Sequence, residues 1–379
     1  MTGPLHGLRI VEIAGIGPGP FACMMLADHG AEVIRVVRPG EDRAGASSDE
    51  TKDVLLRSRR SIGVDLKAPE GVAIVRDLVR TADGLVEGFR PGVMERLGLG
   101  PEHLLADNAR LVYGRMTGWG QYGPYASAAG HDINYIALAG ALHAFGRANE
   151  KPTPPINMVG DFGGGGMMLA FGMVSALLHA QKTGAGQVID CAMTDGAAVL
   201  MSMIWSFRAQ GRWHDERGVN LLDTGAHFYD TYETADGKYV ALGSIEPQFY
   251  AALLKATGLS EDPDFGRQHD SVGWPALKEK LAEIIAVRSR DEWCAIMEGQ
   301  DICFAPVLSL AEAPLHPHNL TRQTFINVEG VTQPAPAPRY SLTVPQVPRA
   351  PVTEADDILT ALGYDSARIK SMKSLGIVA

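Results

Sequence analysis

Three segments of this 379-residue chain place acids or bases where the backbone turns. In AGHDINYIALAGALHAFG (129–146) a glycine precedes His131-Asp132 at the start of a long amphipathic helical pattern. A histidine in that first turn faces the positive helix end, which disfavours imidazolium and keeps the ring available as a base. In PINMVGDFGGGGMMLAFG, Asp161 falls in a turn between an apolar run and the glycines 163 to 166 that open an apolar helix. An aspartate there can cap the helix by accepting its free N–H groups. Glycines inside a helix cost about 1 kcal/mol each relative to alanine, so four in a row imply a backbone kept bare, as for a ligand lying across it. Glu246, just ahead of Pro247, sits where a helix begins and by itself reads as a cap.

A second set of residues suits an anion. Gly15-Ile16-Gly17-Pro18-Gly19-Pro20 interrupts the chain between a strand and a helix, where backbone N–H groups and the positive helix end can face a phosphate. The spacing is G-x-G-x-G rather than the dinucleotide fingerprint G-x-G-x-x-G, and two prolines remove donors. At the end of the second strand, where a nicotinamide-binding fold carries an acid, this chain has Arg38. Arg57, Arg59 and Arg60 cluster just before another strand, and Arg90 follows the strand GLVEGF. Ligands of open α/β sheets bind beyond the carboxyl ends of strands, so Arg38 and Arg90 converge on one face that suits a nucleotide with several phosphates, such as coenzyme A. Arginines at strand ends also cap carbonyls or stay hydrated, and that reading stands beside the first.

The elements that must position these residues alternate short β-branched runs with helical patterns. Strands are expected at 8–14, 31–37, 61–66, 84–89, 109–116 and 187–193, with helices such as 69–82 between several of them, an α/β domain with a mainly parallel sheet. A long helical pattern covers 194–210, and the chain then becomes richer in turns, with Asp236-Gly237 as a hairpin signal. The expected organisation is a Rossmann-like large domain over 1–210, a linker at 211–225, a small α+β domain over 226–320, a proline-rich connector at 321–351, and a helical segment at 352–379 that docks on a folded body.

Composition excludes several classes. A net charge of −10 argues against a general nucleic-acid surface, and four scattered cysteines without C-x-x-C spacing suggest neither a disulfide framework nor a zinc site. No secretory signal pattern is visible, and the apolar stretch 167–180 falls short of the ~20 residues of a membrane span. A cytoplasmic protein with no membrane or nucleic-acid partner is the expectation. Seven methionines (158, 167, 168, 173, 193, 201, 203) around the apolar helix suit either a core or an adaptable surface for acyl tails.

Five blocks in order, GLRIVEIAGIGPGPFA, EGFRPGVMERLGLGP, GRMTGWGQYGPYASAAGHDINYIAL, MVGDFGGGGM and ADGKYVALGSIEPQFYAALL, resemble the family III CoA-transferase superfamily, and within it the α-methylacyl-CoA racemases. The resemblance implies a Rossmann-like large domain, a small domain, and an interlocked homodimer with its active site shared between subunits. It places His131, Asp161 and Glu246 together as catalytic residues, and coenzyme A, as part of the substrate, against Ile16, Gly17, Arg38, Arg57, Arg59, Arg60, Arg90, Asp132 and Tyr135. Inverting a carbon α to a thioester takes one base on each face and a stabilised enolate, with no metal or separate cofactor. His131, supported by Glu246, would serve one face and Asp161 the other, with burial raising the aspartate from ~3.9 toward working pH. N–H groups near Asp132 and the glycine run would hold the enolate oxygen. In the transferases of the superfamily an aspartate at the position of Asp161 is instead a nucleophile, and the tail LGYDSARIKSMKSLGIV resembles transferase C-termini. His131 favours racemisation, since transferases carry a non-basic residue there. A silent CoA-thioester-binding protein would have lost a base, and all three are present.

Overall fold

A computed structural model describes residues 3–40 and 49–379. The chain divides into two units, the first built from Met1–Ala139, Ile156–Leu200 and Thr321–Ala379, the second from Gly140–Pro155 and Met201–Leu320. The division after Leu200 comes ahead of the stretch 211–225 expected as a linker. That stretch is folded on itself, because Asn220 Nδ2 donates to His214 O at 3.0 Å, Glu216 O at 3.1 Å and Asp223 Oδ2 at 2.7 Å.

The first unit is organised by a seven-stranded sheet. Strands β1 (Arg9–Ile13), β2 (Glu32–Val37), β3 (Arg59–Gly63), β4 (Gly84–Glu87), β5 (Val112–Thr117) and β6 (Gln187–Ala192) are joined at one edge by Val352–Thr353. From that edge the order is Val352–Thr353, β3, β2, β1, β4, β5, β6, and every pairing is parallel. Central parallel strands lie between two helical layers, which is why β1 and β2 are rich in buried valine and isoleucine. On one face Val11, Ile34, Ile62 and Leu85 pack against helix α2 (Pro69–Arg80) and the helices Ala355–Ala361 and Ser366–Ser374. Helix α2 forms there for local reasons: Pro69 opens it without losing a donor, Glu70 and Arg80 suit the signs of its two ends, and Ile74, Val75, Leu78 and Val79 share its buried face. On the other face Ile10, Val33, Val86 and Val112 pack against helix α1 (Pro18–Asp28) and the apolar helix Met168–Thr183.

The C-terminal segment joins this sheet through its strand and through a bridge between Val64 and Val378. The proline-rich stretch ahead of it is not wholly a connector, since Phe325–Val328 and Val331–Pro334 pair as an antiparallel hairpin.

In the second unit β7 (Tyr229–Glu233), β8 (Tyr239–Gly243) and β9 (Phe304–Pro306) form an antiparallel sheet. The turn between β7 and β8 carries Gly237 at φ +70°, the left-handed conformation that the Asp-Gly signal anticipates. Helices Pro247–Thr257, Trp274–Ile285 and Arg290–Met297 cover a core of Phe228, Tyr232, Leu281, Trp274 and Trp293.

Three helical expectations change. The pattern at 194–210 is two helices broken at Met201, Met193–Leu200 and Ser202–Ala209. The one starting at Asp132 ends at Leu138, because Gly140 takes φ +83° before a short turn Ala141–Ala144. The apolar segment is longer than its expected 14 residues: Met158–Met167 is a wide helix bonded i to i+5, and it runs straight into Met168–Thr183. That 26-residue run is long and apolar enough to cross a membrane by length and composition, although Leu169, Met173, Ala176, Leu177 and Ala180 are buried.

Candidate active site

The strand order reverses between β1 and β4, and an open parallel sheet leaves a crevice beyond the carboxyl ends of such a pair. The glycine turn follows β1 and Arg90 follows β4, while Arg38 follows β2; both arginines are exposed, as is Ile16 at the tip of the turn. Gly17 takes φ +67°, and a Cβ built on it would stand 3.3 Å from Asp161 Oδ2. The turn after the first strand and the acid of the glycine-rich motif are therefore neighbours, although 144 residues of sequence separate Gly17 from Asp161.

Asp161 lies in the first turn of the wide helix rather than in a loop between strand and helix. Its Oδ2 accepts a hydrogen bond from Asn157 Nδ2 at 3.1 Å, and its backbone N–H donates to Asp132 Oδ1 at 2.7 Å. Burial pushes the Asp161 carboxyl above the ordinary carboxylate range; the Asn157 bond and a protonated His131 pull it back, while the neighbouring charge of Asp132 pushes it further up. That direction is the one a carboxyl working as acid or base near neutral pH requires.

The four glycines have a structural explanation that replaces the bare-backbone reading. A Cβ on Gly164 would come within 2.6 Å of Ala197 N, one on Gly165 within 3.0 Å of Pro18 Cβ, and one on Gly166 within 2.6 Å of the Phe21 ring. Gly163 faces Leu200 Cδ1 at 3.0 Å, and Gly160 faces Asp132 Oδ1 at 2.4 Å. Protein backbone and side chains fill the space left by the missing Cβ atoms, so the run lets α1 and the Met193–Leu200 helix approach the wide helix. The same packing revises the oxyanion expectation. The Asp161 N–H is taken by Asp132 and the Phe162 N–H by Asn157 O at 3.3 Å, which leaves the start of the Asp132–Leu138 helix as the candidate donor group.

His131 caps that helix from an extended conformation and its side chain is exposed. Its backbone N–H donates to Asn134 Oδ1 at 3.1 Å. Tyr135 is buried; its hydroxyl donates to Gly130 O and its ring meets Trp119 edge-on at 4.7 Å, which anchors the backbone just ahead of His131. Asp132 is buried beneath, its Oδ1 turned to Asp161.

The basic cluster expected to meet phosphates is engaged inward. Arg59 is fully buried; its Nε donates to Glu12 Oε2 at 3.0 Å, its Nη1 to Arg57 O at 2.9 Å and its Nη2 to Pro20 O. Arg57 is buried in an ion pair with Asp28 and also donates to Gln333 Oε1 at 3.0 Å and to Pro334 O. Arg60, half-buried, bridges Glu32 and Glu354. The reason is topological: β3 lies inside the sheet, so charges on it need partners from adjacent elements. Glu12 was the available signal, a lone acid in the apolar strand LRIVEIA. Asn157, four residues before Asp161 on one helical face, was the other partner that sequence reading passed over.

Glu246, in the second unit, precedes the Pro247–Thr257 helix but its carboxylate does not cap it. The side chain is exposed. The methionines divide: Met173 and Met193 are buried, whereas Met158, Met167 and Met203 are exposed.

A doubly covered parallel sheet with a carboxyl beside the glycine turn at its switch point narrows the class, and the comparison with known families states it: the chain belongs to CoA-transferase family III, whose model matches residues 5–356. Among its relatives, it is 46% identical to the alpha-methylacyl-CoA racemase of Mus musculus, over 99% of this chain and 97% of that protein, and 44% identical to the Homo sapiens protein of the same name over the same shares. The human succinyl-CoA:glutarate CoA-transferase is 28% identical over 99% of this chain and 90% of that one. The crystal structure of a CaiB/BaiF family protein from Brucella suis superposes with a TM-score of 0.83 at 27% identity, covering 96% of this chain and all of that one.

Proposed function

We propose that the protein is a racemase that interconverts (R)- and (S)-2-methyl-branched acyl-CoA thioesters by proton transfer through an enolate. The observation that carries the reading is the pairing, within one unit, of an exposed imidazole with a half-buried carboxyl whose affinity for protons is raised. One of the two takes the α-proton, the C–H electron pair moves into the thioester as an enolate, and the other gives its proton to the opposite face of the carbon. The N–H groups of Asp132 and Ile133, at the start of their helix, are the groups suited to the enolate oxygen. Arg38 and Arg90 would hold coenzyme A phosphates, and Ile16 would lie against the coenzyme. The step uses no metal or separate cofactor. Identity near 45% to two racemases, against 28% to a transferase, supports the assignment.

The working form we propose is a homodimer in which Glu246 of a second copy supports His131. Supporting a second copy, Met167, Phe171, Val174 and Leu178 recur at helical spacing on the face of the apolar helix opposite its buried residues, and all four are exposed. An apolar stripe of this kind marks an interaction surface.

The test is incubation of the purified protein with (R)- or (S)-2-methylacyl-CoA in deuterated water. Racemisation predicts α-deuterium incorporation with loss of configuration. Transfer of CoA to an added free acid without exchange would establish the transferase reading with Asp161 as nucleophile and overturn ours.

A further inference from the structure

We infer that the Asp132 carboxylate is a positioning residue for Asp161, holding its backbone in place and setting the pH range in which it exchanges protons. This inference rests on the two-base reading above.

The geometry is specific. Asp132 Oδ1 accepts the Asp161 N–H at 2.7 Å, across 29 residues of sequence. That oxygen occupies the space that a side chain at position 160 would need, since a Cβ there would lie 2.4 Å from it. Gly160 thus admits the carboxylate to the backbone directly before Asp161. Asp132 itself is buried, and its second oxygen, Oδ2, is also buried and meets no hydrogen-bond partner among the described residues. A buried oxygen of a carboxylate without a donor leaves the negative charge poorly screened. Its charge acts on Asp161. Among the described residues, the titratable and charged side chains that act on Asp161 are Asp132 and His131 at the start of the neighbouring helix; Asn157 adds a neutral donor, and the α1 side contributes Gly17. Tyr135 feels Asp161 and Arg90 together. Of these, Asp132 disfavours the ionised form of Asp161 and His131 favours it. The same carboxylate therefore does two jobs through one contact: it fixes the backbone of a base and makes that base harder to ionise.

Two variants separate the jobs. Asp132→Asn keeps an oxygen acceptor for the Asp161 N–H and removes the charge; Asp132→Ala removes both. Exchange into each enantiomer in deuterated water is measured separately, and the enantiomer that depends on Asp161 is the one whose exchange is lost in Asp161→Ala. We expect Asp132→Ala to lower the ratio of Asp161-dependent to His131-dependent exchange on the order of tenfold, as a displaced base should. Asp132→Asn should restore most of that ratio and move the acid limb of Asp161-dependent exchange down by about one pH unit, because a like charge has gone. In parallel, carbon-13 NMR of the labelled Asp161 carboxyl should show its titration midpoint falling in Asp132→Asn. An unchanged ratio in both variants, or an equal loss on both faces with unmoved pH limbs and an unmoved midpoint, overturns the inference. Failure of the racemase reading is distinguishable: the wild-type protein would then exchange neither enantiomer, while the carboxyl midpoint would still report whether Asp132 acts on Asp161.

Discussion

Substitution of Gly17 by alanine tests the contact between the first glycine turn and Asp161, the carboxyl we propose as one of the two bases. At φ +67° an L residue costs about 1–2 kcal/mol. The added methyl would stand 3.3 Å from Asp161 Oδ2, inside the ~3.5 Å at which carbon contacts become comfortable. Asp161 has little room to withdraw, since Asn157 holds that oxygen at 3.1 Å and Asp132 holds the backbone at 2.7 Å. The carboxyl must therefore shift by a few tenths of an ångström, and because a 1 Å misplacement costs about 100-fold, we expect kcat to fall roughly three- to tenfold. The strain should lower the melting temperature by roughly 2–8 °C. The assay is α-deuterium exchange at saturating thioester for each enantiomer, with thermal unfolding of the same sample. A rise in KM with kcat unchanged would show that Gly17 serves the coenzyme alone and refute the reasoning.

Other expectations follow from the same contacts. Arg59→Met strands the buried Glu12 and should cost about 3–5 kcal/mol in urea unfolding, whereas Arg59→Met with Glu12→Gln should recover much of that; equal losses in the single and double variants would refute the pairing. His227 is fully buried, with Nε2 2.7 Å from the Tyr250 hydroxyl, and burial together with the charges of Lys278 and His269 lowers its pKa to about 4. The unfolded chain takes up this proton near pH 6.5 and the folded one near 4, so stability is full above 6.5 and is lost as pH falls through that window, by about 2 kcal/mol between pH 7 and 5. Denaturant unfolding of His227→Gln should show a correspondingly flatter pH dependence, and an unchanged slope would count against it. Phe171→Asp should convert a sedimenting dimer to a monomer; a wild-type monomer would remove the proposed second copy.

Much of the architecture was legible because parallel strands advertise themselves: β1 and β2 are dominated by valine and isoleucine and flanked within two residues by glycine or proline, and each lies within a residue of its expected place, whereas β5 starts three residues later than expected. The proximity of the Asp161 motif to the glycine turn and to Asp132 was not legible, but both segments stood out as charged residues beside glycine. What the pattern could not reveal was who stands opposite. Arg57, Arg59 and Arg60 look like a phosphate clamp until Asp28, Glu12, Glu32 and Glu354 arrive from distant segments. The glycines at 163–166 look like a ligand bed until Phe21 and Ala197 are set against them. Met201 breaks a helix at a residue with no breaking tendency of its own, and the strand Val352–Thr353 is too short to carry a period.

The edge strand has a consequence for how the molecule is made. One flank of β3 stays uncovered on the ribosome until Val352 and Thr353 emerge, long after β1 to β6 have been synthesised and only after the whole of Met201–Leu320 has followed. An unpaired strand edge recruits strangers, and contacts between such distant segments form slowly. The nascent chain thus passes through an interval in which its own tail is the missing neighbour, and chaperone dependence or aggregation during synthesis should concentrate there.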